Sequence, residues 1–267
     1  MKIKNLHKLQ DWDDYYSDNI PLQVKLKAGL FTSYDIFLCD SLLEKYLPKY
    51  TRQLKTQPTI CEIGSGNGKL VKKIAALLGY KPYGIEYSKE AAKISKKNGI
   101  DVFVSDAFDK KVINKFKNQF DAVFSYGFVE HIIPPEKAIK LHLDLIKPGG
   151  YFIIQIPRFR GFNLLRLRFF RPDLVKNHNL DIMNGDVLEK LCKTPDVKKI
   201  YCGNYGTFKL RLPMDKKGFK YYLLKYICSL DYILNPMFRL FLGKKGFETD
   251  FFSPSVMFIG QKKTKRD

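Results

Sequence analysis

The sequence has few of the features that direct a chain out of a reducing compartment. Its 5 cysteines are an odd number without a Cys-x-x-Cys pair among 267 residues, which gives no sign of a disulfide framework. Charged and polar residues are spread through residues 1–14, which therefore lack the apolar core of a secretory signal. Lys225, Asp231 and Pro236 interrupt the apolar stretch at 219–242, so a transmembrane span is not expected there. Together these absences favour a cytoplasmic protein.

Acidic residues are too few to balance the basic ones. The chain has 47 lysines and arginines against 27 aspartates and glutamates, which gives a formal net charge of +20. Such an excess indicates an anionic partner, or it reflects a lysine-rich composition with solvated helix faces. Five arginines are nevertheless clustered: Arg158, Arg160, Arg166, Arg168 and Arg171. Because guanidinium groups bind phosphate and carboxylate through paired hydrogen bonds, these five are candidate ligands of an anionic substrate.

A glycine-rich loop follows an apolar segment at residues 60–68, which has the sequence ICEIGSGNG. Its three glycines allow a tight turn and let a ligand approach the backbone, and the helix that follows offers unpaired N–H groups. The dinucleotide fingerprint G-x-G-x-x-G would require glycine where Lys69 stands. A P-loop would require glycine at Ile63 and a hydroxyl residue at Leu70. The loop therefore predicts a nucleotide-like ligand of another class.

Strands alternate with helices from Pro58 to Pro157, which predicts βα units and a parallel sheet with its ligand at the carboxyl ends of the strands. A second strand ends at Glu86, where a carboxylate can accept both hydroxyls of a ribose. A third strand precedes Asp106, whose carboxylate could accept from an adenine amino group or cap a turn, and Phe108 could pack on the ring. Fourth and fifth strands are predicted at residues 120–126 and 145–154.

In this order the segments resemble class I S-adenosylmethionine (SAM)-dependent methyltransferases of the type 11 and 12 group, over about residues 56–160. The carboxylate of Glu62 suits SAM, since the amino-acid end of SAM is cationic where a dinucleotide carries phosphates. The resemblance implies SAM as cofactor and S-adenosylhomocysteine as product. It assigns these residues to the cofactor: Glu62, Gly64, Ser65, Gly66, Gly68, Glu86, Tyr87, Asp106, Ala107, Phe108, Ser125 and Tyr126.

The same resemblance implies an α/β fold, a Rossmann-like seven-stranded sheet of order 3-2-1-4-5-7-6 with strand 7 antiparallel. Helices cover both faces, and a helical cap is added. The sixth and seventh strands are predicted at 197–208 and 255–261, and a core helix at 185–192. Residues 1–55 are predicted to form a helical cover in which Tyr15 contacts the cofactor, with ordinary helix packing as the alternative. Residues 56–267 form the methyltransferase domain, with cap insertions at about 158–184 and 213–243.

Two histidines are candidates for catalysis. Methyl transfer is an in-line displacement, so the protein has to align the acceptor and, for a hydroxyl, remove a proton. His131 follows the fourth strand and is the first candidate; His178 is the second, and a structural role is the alternative for each. Relatives with Glu-x-x-Glu-His at the first of these places bind a divalent metal. Because Gly127 replaces the first of those glutamates here, no metal is expected.

Pro157 and residues 178–183 resemble a subset associated with bacterial cell-surface polysaccharide genes. The predicted reaction is O-methylation of a small anionic precursor, sugar- or phosphate-bearing, with nucleotide-linked forms included. RNA methylation is an alternative favoured by the charge. No nucleic-acid partner is expected, however, because residues 126–129 replace the Asn/Asp-Pro-Pro-Tyr/Phe tetrad of such enzymes. A SAM-binding subunit without turnover is the other alternative. Residues 219–242 are candidates for a homodimer surface or for peripheral contact with the inner membrane surface.

Overall fold

Seven strands form one mixed sheet at the centre of the protein. The computed structural model describes residues 4–5, 11, 33–51, 56–212 and 218–264. The strands are β1 (Thr59–Ile63), β2 (Lys81–Glu86), β3 (Asp101–Val104), β4 (Phe120–Tyr126), β5 (Ile146–Pro157), β6 (Val197–Tyr205) and β7 (Ser255–Lys262). Their order is β3-β2-β1-β4-β5-β7-β6, and β7 runs antiparallel to both of its neighbours. The predicted fold and strand order are confirmed.

Helices cover both faces of this sheet. They are α1 (Tyr34–Tyr46), α2 (Lys69–Leu78), α3 (Lys89–Lys97), α4 (Lys110–Phe116), α5 (Glu136–Leu145), α6 (Gly161–Phe170), α7 (Pro172–Lys176), α8 (Gly185–Cys192), α9 (Phe219–Ser229) and α10 (Asp231–Leu242). One core cluster joins the sheet to α4, α5 and α8. The other joins it to α1 and α2, and Phe238 and Leu242 of α10 pack against it. The central strands are buried on both faces, as continuous apolar segments predict.

The glycine-rich loop connects β1 to α2. Gly64 and Gly68 have φ values of 70° and 72°, a region that side chains disfavour. A Cβ atom at Gly68 would overlap the hydroxyl of Ser95 and lie 2.9 Å from Cγ1 of Ile100. Glycine at this position therefore permits both the turn into α2 and the close packing of α3 against it.

The predicted cap insertions contain helices, α6 and α7 in the first and α9 and α10 in the second. Among the described residues of the predicted cover, Lys4–Asn5 pair antiparallel with Ile132–Ile133, and α1 packs on the sheet. Tyr15 lies outside the described residues, so its predicted contact stays a prediction, as does the division into cover and domain. Within the described ranges, no helix is long and apolar enough to cross a bilayer.

Candidate active site

A first cleft lies at the carboxyl ends of β1 to β4, where an open α/β sheet binds its ligands. This glycine-loop cleft encloses about 690 Å³, counted to its open mouth. Six of the residues assigned to the cofactor line it: Gly64, Glu86, Tyr87, Asp106, Ala107 and Phe108. Phe128 and His131 complete its far wall.

Glu86 is held in place by backbone on two sides. Its Oε2 accepts a hydrogen bond from Gly66 N at 2.6 Å, and its Oε1 accepts from Ser88 N at 2.8 Å. The side chain is only 6% exposed. A carboxylate accepts about four hydrogen bonds, so these contacts fix its orientation and are compatible with binding ribose hydroxyls.

The opposite side of the cleft is aromatic. The rings of Phe108 and Phe128 stack with centroids 6.2 Å apart at 21°. Asp106 Oδ1 accepts from Phe108 N at 2.9 Å, which is the turn-forming role that the sequence left open for this aspartate. A Cβ atom at Gly64 would come within 3.1 Å of the Phe128 ring. Bare backbone on one side and aromatic rings on the other form a cradle that fits an adenosyl group.

The other described residues assigned to the cofactor are not part of the lining of this cleft. Glu62 is 3% exposed, and its Oε2 accepts from Val71 N at 3.1 Å, in the first turn of α2. Burial raises the pKa of Glu62 well above its usual range, with the nearby Glu86 carboxylate adding to the effect. Gly66 donates to Glu86, and the hydroxyls of Ser65 and Ser125 are buried without a hydrogen-bond partner in the described ranges. Ser65 and Gly66 belong to the glycine-rich loop, Glu62 lies in β1 and Ser125 in β4, and their contact with the cofactor stays a prediction.

A second cavity lies beside the first and is lined by basic side chains. This arginine cavity encloses about 840 Å³, counted to its mouth, and shares Gly127 and His131 with the glycine-loop cleft. Tyr126, which the sequence assigned to the cofactor, lines this second cavity. The basic residues in its wall are Arg158, Arg166, Lys209 and Arg211. The last two are not among the residues predicted from the sequence; the alternation of basic and apolar residues in Phe208–Leu212, after β6, is the signal that could have shown them.

Only two of the five clustered arginines reach this cavity. Arg160 Nε donates to Met183 O at 3.2 Å, Arg168 is exposed, and Arg171 forms an ion pair with Asp173 at 2.7 Å. None of these three lines the arginine cavity. For Arg168 the helical period of α6 explains the difference, since Arg166 and Arg168 point to different sides of that helix; Arg160 and Arg171 lie just outside its two ends.

Arg158 and Arg166 are buried cations with donors to spare. Arg158 is 4% exposed and donates to Asp250 O at 2.6 Å; Arg166 donates to Lys209 O and to Asn163 Oδ1. The Nε atoms of both arginines are buried and make no hydrogen bond within the described part of the chain. Burial lowers the pKa of both guanidinium groups, to about 10 for Arg166. An anion in this cavity would offset that desolvation.

Lys209 is oriented by a buried carboxylate. Its Nζ lies 3.0 Å from Oδ2 of Asp35, which is 1% exposed. Burial alone would raise the pKa of Asp35, but the Lys209 ammonium and the Ser33 hydroxyl lower it overall. The pKa of Lys209 is raised, chiefly by Asp35. The cavity therefore has a charged ammonium whose position is set by α1.

The two candidate histidines lie together. The rings of His131 and His178 have centroids 4.4 Å apart. His131 Nδ1 is 3.1 Å from Asn177 O, and His178 Nδ1 is 2.6 Å from Leu174 O. A carbonyl accepts only, so in each neutral ring Nδ1 carries the proton and Nε2 is the basic nitrogen. Asn179 N also donates to Glu130 O at 2.9 Å, which ties the two loops together.

Glu130 is the third member of the cluster that it forms with His131 and His178. It is fully buried, and neither carboxylate oxygen has a hydrogen-bond partner among the described residues. Burial raises its pKa to about 8. Glu130, His131 and His178 offer ligand atoms within 4.8 Å of one another, so the described ranges contain a group that could hold a metal. That the activity requires no metal stays a prediction.

Comparison with known proteins agrees with this geometry. A family model described as a methyltransferase domain matches residues 32–196, more than half of the chain. A ubiquinone biosynthesis O-methyltransferase of Alkalilimnicola ehrlichii is 29% identical over 98 residues, 35% of this chain and 39% of that protein. A tRNA U34 carboxymethyltransferase of Desulfotalea psychrophila is 27% identical over 124 residues, 45% of this chain and 37% of that protein. The matches thus span about two fifths of the length of these curated relatives.

Solved structures extend the likeness to most of the chain. A SAM-dependent methyltransferase from Thermotoga maritima superposes with a TM-score of 0.52 at 18% identity, covering 85% of this chain and 89% of that one. At this identity the likeness shows the fold. It covers a larger share of the chain than the family model, which ends at residue 196.

Proposed function

This chain belongs to the methyltransferase domain family and uses SAM as its cofactor, and from that premise we propose that it O-methylates a small anionic acceptor. The observation that carries the proposal is the junction of two cavities. The glycine-loop cleft and the arginine cavity meet at Gly127 and His131. A methyl group offered from one side and an acceptor held on the other would meet at this junction, as in-line transfer requires.

The glycine-loop cleft would hold the donor. Glu86 would accept from the ribose hydroxyls, the bare backbone at Gly64 would border the ligand, and Phe108 would pack against the adenine. SAM supplies a methyl group that its sulfonium already activates. The chain then has to bring an acceptor atom to about 3 to 3.5 Å from that carbon and exclude water.

The arginine cavity would hold the acceptor. Arg158, Arg166 and Lys209 converge on it, and buried guanidinium groups with unused donors favour a phosphate or carboxylate over a neutral ligand. The guanidinium of Arg166 and the ammonium of Lys209 are fixed by Asn163 and Asp35 respectively. This preorganisation reduces the cost of ordering them on binding.

His131 would take the proton of an acceptor hydroxyl at Nε2. It is the histidine that borders both cavities, and its Nδ1 is oriented by the carbonyl of Asn177. His178 stands beside it in the arginine cavity and would orient the acceptor or serve as the base itself. A neutral imidazole is suited to general-base catalysis near neutral pH.

A narrower proposal for the acceptor is a precursor of a bacterial surface polysaccharide. Such a precursor would bear a sugar or a phosphate, and nucleotide-linked forms are included. It rests on the sequence resemblance at Pro157 and residues 178–183 alone. The curated relatives are named for ubiquinone biosynthesis and for tRNA modification, so they lend it no support. The anionic character of the acceptor is the part that the arginine cavity supports.

Incubation with methyl-labelled SAM tests the acceptor class. Sugar phosphates and nucleotide sugars form one set, the matching neutral sugars a second, and tRNA a third. We expect the anionic small molecules to become methyl-labelled, with one S-adenosylhomocysteine formed for each methyl group transferred. Equal labelling of neutral sugars would contradict the role of the arginines, and labelled tRNA would favour the RNA alternative. If the protein bound SAM but labelled none of the three sets, a non-catalytic SAM-binding subunit would be favoured.

A further inference from the structure

The helical hairpin of α9 and α10 presents an apolar surface to solvent. Phe219, Tyr222 and Tyr226 follow one another at helical spacing on α9, and Ile233, Leu240 and Phe241 do so on α10. Each of these six side chains is more than 60% exposed, and Leu240 reaches 80%. We call these six residues the hairpin face. Several large apolar side chains that stay exposed on two neighbouring helices indicate an interaction surface.

The hairpin face does not belong to the hydrophobic core, since it is the other side of α10 that packs against the core. Phe238 and Leu242 contact the core cluster formed by α1, α2 and the sheet. Asn235 Oδ1 accepts from the backbone N–H of Tyr34 at 2.9 Å, which fixes α10 against the start of α1. A helix that is apolar on two sides is expected to bury both. In α10 one side is buried against the core, and the hairpin face on the other side is exposed.

The exposed charges of the hairpin and of the turn that follows it are basic, and one of them, Lys244, lies 3.7 Å from Glu44 of α1. The exposed charged residues from Gly218 to Phe247 are Lys220, Lys225, Lys244 and Lys245. The acidic residue of this segment, Asp231, is 4% exposed and lies 3.4 Å from Arg211. Apolar and aromatic side chains flanked by lysines are complementary to a surface of acyl chains beneath anionic headgroups.

We propose that the hairpin face docks the protein onto an anionic lipid bilayer. The helices would lie in the interface with their lysines toward the headgroups, in keeping with the absence of a bilayer-spanning helix among the described residues. A second copy of the chain is a less suitable occupant, because a symmetric contact would bring the same lysines together.

Docking in this orientation has a consequence for the acceptor. Arg211 lines the arginine cavity and pairs with Asp231 at the first residue of α10. Cys228 near the end of α9 lies 3.5 Å from Leu210 O in the same segment. The hairpin face and the acceptor cavity are therefore built on adjoining backbone, and docking would hold the cavity close to the lipid surface.

Co-sedimentation with vesicles tests the proposal on the full chain. We expect binding to vesicles of phosphatidylcholine with phosphatidylglycerol, and much less to phosphatidylcholine alone. Binding should weaken as salt rises, since the Debye length falls from about 10 Å at 0.1 M to about 3 Å at 1 M. The double variant Leu240→Ser, Phe241→Ser should lower the partition coefficient about tenfold or more, because two large exposed side chains would no longer enter the acyl region.

Two matched controls make the test specific. Val187→Ser removes an exposed apolar side chain from α8, on the opposite face of the sheet, and should leave binding unchanged. Replacing Lys220, Lys225, Lys244 and Lys245 by Gln should weaken binding far more than the same change at Lys96, Lys97, Lys110 and Lys111, which lie exposed on α3 and α4. Melting temperatures and SAM binding of each variant show that the fold is retained.

Three outcomes would overturn the proposal. One is the absence of vesicle binding by wild-type protein, and another is equal binding to neutral and anionic vesicles. The third is a dimer in light scattering that the Ser double variant dissociates, without any vesicle binding, which would make the hairpin face a contact between copies. Methyl transfer to a soluble anionic acceptor is measured separately, so the proposed function stands or fails on its own result.

Discussion

The imidazole rings of His131 and His178 lie with centroids 4.4 Å apart, at an interplanar angle of 60°. His131 precedes β5 along the chain and His178 follows it. Each ring is oriented through its Nδ1 by a backbone carbonyl. The pair stands where the two cavities meet. His131 borders both the glycine-loop cleft and the arginine cavity, whereas His178 borders the arginine cavity alone.

Replacing His131 by Gln should lower kcat by a factor of about 10² to 10⁴, the usual contribution of a general base. Affinity for SAM should change little, because the residues that would hold the adenosyl group remain. His178→Gln should affect the KM of the acceptor more than kcat if it orients the acceptor. His142→Gln on α5, outside both cavities, is the control. Wild-type kcat in both active-site variants would exclude a histidine base.

Glu86→Gln should weaken SAM binding about tenfold or more. The change keeps the shape of the side chain but removes the charge that strengthens its hydrogen bonds, each worth about 1.5 to 3 kcal/mol. Calorimetry with SAM and S-adenosylhomocysteine measures the effect, and both affinities should fall alike because both ligands contain the ribose. Glu90→Gln, on the exposed side of α3 in an ion pair with Lys93, should bind both ligands as wild type does. Unchanged affinity in Glu86→Gln would remove the ribose contact from the proposed site.

Arg158→Lys and Arg166→Lys should each raise the KM of an anionic acceptor about tenfold with little change in kcat. Lysine keeps the charge but loses the planar fork that binds an anion through two hydrogen bonds. Arg168→Lys should behave as wild type, because Arg168 is exposed and lies outside the arginine cavity. Steady-state kinetics at saturating SAM separates the two parameters. An equal rise in KM for all three variants would point to a diffuse field of charge.

Glu130 should make the protein less stable as the pH rises towards 8. Burial raises the pKa of this carboxyl from 4.5 to about 8, so the folded state keeps a proton that the unfolded chain releases. The stabilisation is fully present below about pH 4.5 and is lost as the pH rises through about 8. Glu130→Gln is uncharged at every pH and should flatten this fall in melting temperature, followed by calorimetry. The exposed Glu136→Gln should keep it. A wild-type slope in Glu130→Gln would assign the fall to other groups.

Removal of divalent metal should leave methyl transfer unchanged. Gly127 supplies no carboxylate, so the group of Glu130, His131 and His178 carries at most one negative charge, and hard cations prefer several oxygen ligands. Kinetics before and after dialysis against EDTA measures the effect. If activity were lost and then restored by one added cation, and if Glu130→Gln abolished the restoration, the three residues would be a metal site.

The central strands were accessible to prediction because β1 and β4 are short, largely apolar segments that each lead into a glycine-containing loop. The ends of strands were less accessible, since they depend on distant partners. β5 continues to Pro157, beyond the predicted residue 154, because β7 pairs with it as far as Ser255. β6 ends at Tyr205, before the predicted residue 208, where Gly206 turns the chain with a φ of 88°.

Within the site, local motifs predicted positions but not orientations. The motif around Gly64 and Glu86 located the glycine-loop cleft, whereas the Glu62 side chain turned out to contact the backbone of α2. The proximity of His131 to His178, and the entry of Lys209 into the arginine cavity, depend on how β5, β6 and the segments after them pack. Such contacts join residues far apart in the chain, so a local pattern can indicate a candidate such as Lys209 but not the cavity that its side chain enters.

On the proposed function, the wall formed by Gly127 and His131 would separate the cavity for SAM, which every such methyl transfer needs, from the cavity for one particular acceptor. A change in that wall alters donor and acceptor together, so it is a poor place to acquire a new specificity. The outer side of the arginine cavity comes from α6 and from the segment after β6, which lie apart from the glycine-loop cleft. Directed evolution of acceptor range should therefore be confined to Arg158–Leu167 and Lys209–Leu212, leaving the methyl donor's half of the enzyme intact.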